Sequence, residues 1–203
     1  RGLVKDNWWT RHSRRLLQER AAKGMVKTEE VDQAVEHLHT LTPFNEDQEL
    51  RLLWTRQVTS TLSEGEAMNQ LSSQYEYVRA WTIQFLCENG KVSDAVLQKF
   101  AKMAVQDLSP VVRLYLASAL QRLPVEMRWE VLEGLFGHSD DATDHNLPMM
   151  IWYAAEPLAA KDFNRSLALA ASARLPNLLN YTVRRTAPRG TPHPRAATTP
   201  HPP

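Results

Sequence analysis

Pro110-Val111-Val112-Arg113-Leu114-Tyr115-Leu116-Ala117-Ser118-Ala119-Leu120 carries the cleanest helical signal in the chain. Val112, Tyr115, Leu116, Ala119, Leu120 and Leu123 recur with the three- and four-residue steps of one helix face. Ser109 is placed to cap this helix, and Pro110 to occupy its first position, where a missing N–H costs nothing. Pro124 stops it. The same local pattern occurs once before, as Tyr77-Val78-Arg79-Ala80-Trp81-Thr82-Ile83-Gln84-Phe85-Leu86, with Arg79 and Arg113 34 residues apart. A recurrence at that distance, carried by paired amphipathic helices, predicts an all-α chain built as an α-solenoid.

Outward from this pair, further helices are expected. The first covers Asn7 to about Ala22, with Trp9, Leu16 and Leu17 on one face and Gly24 after it. Thr28 caps a second, with a stripe of Val31, Ala34, Val35 and Leu38, broken by Pro43. Others run from Glu46 to Leu62, briefly from Glu66 to Leu71, and from Tyr75 to Glu88 before Asn89-Gly90. Ser93 caps a helix that presents Val96, Phe100, Met103 and Ala104. The remaining ones cover Val125 to Phe136, Leu147 to Leu158, Lys161 to Ser172 and Pro176 to Thr186. No segment alternates apolar and polar residues with the period of a strand, so no sheet is expected. The longer helix of each pair opens near residues 7, 46, 75, 109, 146 and 176. These irregular intervals correspond to about five to six helix pairs across residues 1–186, starting in mid-repeat. An uncapped repeat exposes an apolar face, so some self-association is expected.

From Ala187 the sequence becomes Pro-, Thr- and Arg-rich and holds no apolar side chain larger than alanine other than proline. Residues 187–203 are expected to be disordered, either as a proline-rich linker or as a non-native terminus.

Composition narrows the function classes. Of 203 residues, 43% are hydrophobic and 23% charged, with 24 basic against 23 acidic side chains. This balance gives no general field for nucleic acid, and Arg11, Arg14 and Arg15 read as a solvated helix face. No apolar run is long enough for direct membrane insertion. The one cysteine, Cys87, excludes an internal disulfide and any Cys-x-x-Cys site, and reads as a half-buried structural thiol. His37 and His39 are two apart, which places them on different helix faces, unlike a zinc pair. No nucleophile elbow, phosphate loop or dinucleotide fingerprint occurs. The chain is therefore read as non-enzymatic, with no catalytic, cofactor-binding or metal-ligating residue.

One loop concentrates polar chemistry: Ser139-Asp140-Asp141-Ala142-Thr143-Asp144-His145-Asn146. It lacks the central glycine and distal glutamate of a calcium loop. Its main expected role is to cap the helix opening near Asn146, with Asp144 at the positive end. Asp141, Asp144, His145 and Asn146 are also the candidate interaction loop, because function favours loops. Trp9, Trp54, Trp81 and Trp152 fall on or near apolar stripes and are expected mostly in the core, whereas Trp8 is expected to be partly exposed.

Asp107 followed by Pro110-Val111-Val112-Arg113 resembles HEAT repeats, in which an acid or proline precedes a Val-Arg pair at the start of the second helix. Tyr77-Val78-Arg79 resembles them with Ser73 or Glu76 at the acidic position. The resemblance implies that Asp107, Arg79 and Arg113 lie on the seam between repeats, each arginine reaching a neighbouring acid or turn carbonyl. Met150 stands where the next arginine would be.

A narrower resemblance rests on three segments: Asn7-Trp8-Trp9-Thr10-Arg11-His12-Ser13-Arg14-Arg15-Leu16-Leu17-Gln18-Glu19-Arg20, Glu76-Tyr77-Val78-Arg79-Ala80-Trp81, and Asp141-Ala142-Thr143-Asp144-His145-Asn146-Leu147-Pro148-Met149-Met150-Ile151-Trp152-Tyr153. They resemble the HEAT region of the PVC-type haem-binding CxxCH proteins, a multidomain family labelled as membrane-bound dehydrogenases. Its members join a β-propeller, a HEAT region and a cytochrome c domain. The resemblance implies a scaffold between two domains absent here, haem c in the parent but not in this segment, and a periplasmic or cell-envelope location that the residues alone do not reveal. Partners would be domains of the same parent or another protein. Two other functions stay open: a free-standing HEAT adaptor, or a segment that completes an oxidoreductase active site around Asp144 and His145.

Overall fold

The structure, a computed structural model, describes residues 6–41 and 44–186. The proline-rich stretch 187–203, Pro43, and the side chains of Trp9 and His39 lie outside the described residues. Within them the chain is all-helical, with no strand. The elements are α1 (Asp6–Ala22), α2 (Thr28–Leu41), α3 (Glu46–Val58), α4 (Glu64–Gln70), α5 (Glu76–Leu86), α6 (Asp94–Gln106), α7 (Pro110–Leu120), α8 (Trp129–Leu135), α9 (Leu147–Lys161), α10 (Phe163–Ser172) and α11 (Pro176–Thr186).

Local chemistry sets most helix starts. Asn45 with Gln48, and Ser63 with Glu66, form reciprocal capping boxes that satisfy otherwise orphaned N–H groups. Ser93 and Ser109 each accept from the N–H three residues on, and Pro110 follows Ser109. Gly90 ends the turn after α5 with φ +68°, a left-handed conformation that favours glycine. The helix expected from Val125 to Phe136 is divided. Val125–Arg128 forms a 3-10 turn, and α8 begins only at Trp129. The loop after Gly137 is more regular than expected, with a 3-10 turn over Ser139–Thr143.

The odd-numbered helices lie side by side: α1 on α3, α3 on α5, α5 on α7, α7 on α9 and α9 on α11. Behind them α6 packs on α8, α4 on α5, and α10 on both α9 and α11. The core runs between these layers and includes Ile83, Phe100, Leu116, Leu132, Ile151 and Leu158. Gly134 lets α8 approach α6: a Cβ added there would lie 2.8 Å from the Ala104 Cβ.

Packing is thinner at the other end. Leu16 and Leu38, both on expected apolar stripes, remain 42% and 45% exposed. Cys87, expected to be half-buried, is completely buried, and desolvation pushes its thiol up to about 12.

Candidate interaction surface

The starts of the odd-numbered helices are tied together by a repeated arginine motif. Arg79, the fourth residue of α5, donates through Nε and Nη2 to the two carboxylate oxygens of Asp107, each at 2.8 Å. Its Nη1 donates to the Ser73 carbonyl at 2.9 Å. Arg113, the fourth residue of α7, repeats the arrangement. It donates through Nε to Asp141 Oδ2 at 2.6 Å, through Nη2 to Asp141 Oδ1, and through Nη1 to the Asp107 carbonyl at 2.8 Å. In both cases the carboxylate lies 28 residues after the arginine and the carbonyl six before it. Asp107 therefore serves two rungs, with its carboxylate toward Arg79 and its carbonyl toward Arg113. The planar guanidinium fork fits this bidentate geometry, which a lysine would not reproduce.

Neighbouring bonds follow the same line. Glu46 Oε1 accepts from the Tyr77 N–H at 3.1 Å, and the Glu76 carboxylate accepts from the Ser109 hydroxyl. Asp107 also accepts from the Ser109 N–H at 3.0 Å, which sets up Ser109 as the cap of α7. Ser73 thus contributes its carbonyl, and Glu76 a bond to the following helix. The acid that Arg79 meets is Asp107.

At α9 the ladder stops, since Met150 occupies the fourth position. A different arginine joins α7 to α9. Arg128, buried, donates to the carbonyls of Leu123, Gln121 and Ala154. The Leu123 and Gln121 bonds satisfy acceptors left over just past the C-terminal end of α7, and the Ala154 bond reaches into α9. Burial pushes its pKa down from the ordinary arginine value. Sequence reasoning missed Arg128 because no local pattern marks a residue whose partners are carbonyls on two other segments.

The polar loop divides between two structural tasks. Asp141 is buried and belongs to the ladder, as the partner of Arg113. Asp144 accepts from the N–H groups of Asn146 at 2.8 Å and Leu147 at 2.7 Å, capping α9. The Leu147 bond first, then the Asn146 bond, hold its carboxyl below the ordinary value. Asp144, His145 and Asn146 are exposed. Among the described residues, no group of three His, Cys, Asp or Glu side chains could hold a metal ion. No helix among them is long and apolar enough to cross a membrane.

A second pattern lies on the same helices. The sixth residue of α5, α7, α9 and α11 is aromatic in every case: Trp81, Tyr115, Trp152 and Tyr181. Trp81 meets Trp54 of α3 edge-on at 4.9 Å and lies 6.0 Å from Tyr115, while Trp152 lies 5.5 Å from Tyr181. Arg14 extends the row. Far from being simply solvated, it is half-buried with its guanidinium 4.8 Å from the Trp54 ring centroid. Trp81, Gln84, Leu114, Tyr115, Ser118 and Met150 line an open groove of about 290 Å³ with no ionisable side chain other than the tyrosine hydroxyl. Half-buried aromatic and methionine surface of this kind is enriched where proteins contact one another. Trp8 is also exposed, stacked on His12 at the far end of the row.

Comparison with known families, characterised proteins and solved structures finds no match to this chain.

Proposed function

We propose that residues 1–186 are a HEAT-like α-solenoid acting as a non-catalytic scaffold within a larger redox protein, and that they orient a dehydrogenase-like β-propeller and a cytochrome c domain. The observation that carries this reading is the arginine–aspartate ladder. It locks successive helices at one register, Arg79 to Asp107 and Arg113 to Asp141, as a spacer of fixed shape requires. The groove between Trp81, Tyr115 and Met150 supplies a surface for a partner domain.

The residues present do not suit a covalent haem of their own. Such a haem needs two cysteines and a histidine in Cys-x-x-Cys-His, and the chain has Cys87 alone, buried and held as a thiol. No redox step is assigned to this segment. Asp144 spends its carboxylate on two backbone N–H groups, which favours a capping role over a catalytic one.

Two measurements test the proposal. The coding sequence on either side should contain a propeller upstream and a Cys-x-x-Cys-His motif downstream. A start and a stop immediately outside this segment would reject the redox parent and leave a free-standing adaptor. In the full-length protein, Ser118→Arg and Met150→Arg fill the groove from its rim. Haem reduction by substrate should slow while the isolated dehydrogenase activity stays unchanged. Unaltered haem reduction would reject the groove as the docking surface.

A further inference from the structure

An open apolar groove lies at the opposite end from α11. About 590 Å³ separates α2 from α1 and α3, and Leu17, Val31, Ala34, Leu38 and Leu52 contribute apolar walls. Met25, on its rim, is 66% exposed. Apolar walls left open between helices are a surface that a partner covers favourably.

The charges around it are sorted by helix. α1 carries four arginines against two acids, Asp6 and Glu19. α2 carries Glu29, Glu30, Asp32 and Glu36 and neither lysine nor arginine. Arg20 and Glu30 line the groove from α1 and α2 respectively. A patch that is basic on one half and acidic on the other is complementary to itself under a two-fold rotation. Head-to-tail growth of the row is disfavoured by the same charges. It would lay α11, which has Arg184 and Arg185 and no acid, against basic α1.

We propose that this groove is the interface of a two-fold homodimer, in which α2 of each copy lies over α1 of the other and the apolar walls close against each other. This inference is independent of the scaffold reading, which rests on α5, α7 and α9.

Charge reversal tests it directly. One variant carries Arg20→Glu with Lys23→Glu, the other Glu29→Lys with Glu30→Lys; all four side chains are exposed, and helicity by circular dichroism verifies folding. Mass is measured by sedimentation at low salt. The unaltered chain should be dimeric. Each variant alone should dissociate at least ~10-fold more readily, because like charges then face each other. An equimolar mixture should restore the dimer as a heterodimer, since the lysines placed at 29 and 30 of one copy then meet the glutamates placed at 20 and 23 of the other. A monomeric unaltered chain, a dimer indifferent to both reversals, or a mixture that stays monomeric would each overturn the proposal.

Discussion

Arg113 and Asp141 form a two-pronged ion pair from which water is almost excluded, their side chains being 6% and 2% exposed. The Arg79–Asp107 pair has the same form but is wetter, at 16% and 8%. Burial raises the cost of breaking such a pair more than it raises the value of having it, because the surviving charge is left in a low-dielectric site.

Arg113→Ala should therefore destabilise the protein by about 3–5 kcal/mol, leaving Asp141 without its counter-charge. The double variant Arg113→Met with Asp141→Leu should recover most of that loss. Denaturant melts of the single and double variants form the check. If the double variant is no more stable than Arg113→Ala, the loss belongs to the Asp107 carbonyl bond rather than to the stranded carboxylate.

Gly134→Ala sets helix propensity against packing. Alanine is favoured over glycine by about 1 kcal/mol in a helix interior. Here the new methyl would meet the Ala104 Cβ at 2.8 Å and the Ala104 backbone at 3.0 Å. Overpacking at a helix contact costs about 1–3 kcal/mol, so the net effect should be a loss. An increase in melting temperature would show that α6 and α8 can separate freely.

Asp144→Ala should weaken the start of α9 by about 0.5–2 kcal/mol, the usual worth of an N-terminal cap. Because the folded carboxyl titrates below its ordinary value of 3.8, its contribution is present above that pH and is lost as the pH falls through the folded value. The variant and the parent should thus converge in stability only in strong acid. The side chain is exposed, so salt should shrink the electrostatic share of the difference. Urea melts at neutral and acid pH measure both effects.

Cys87 should resist thiol reagents in the native protein, because it is buried and its pKa is near 12. Labelling should follow global unfolding, rising with denaturant along the same transition as the loss of helicity. Rapid labelling without denaturant would indicate local opening at the C-terminal end of α5.

Much of this architecture was legible from residue order. The stripes of α6 and α7, and the caps at Ser93 and Ser109, are relations among residues three or four positions apart, the range over which helix geometry acts. Arg79 and Arg113 stood out because they repeat within similar neighbours. The stretch after Pro124 was less legible. Its apolar pattern suits one helix, but the chain tightens into a 3-10 turn that brings Arg128 onto the carbonyls of Leu123 and Ala154.

Residue order alone determined that the chain is helical, where most of its helices begin, and which faces are apolar. Caps, prolines and apolar spacing act within a turn or two. The tertiary structure decided the rest. It assigned Asp141 to Arg113 instead of to an open loop, placed Arg14 over Trp54, and buried Cys87 completely. The reason is physical. An ion pair that spans 28 residues, or the desolvation of a single thiol, depends on how neighbouring helices meet, and that is set by packing across the whole row.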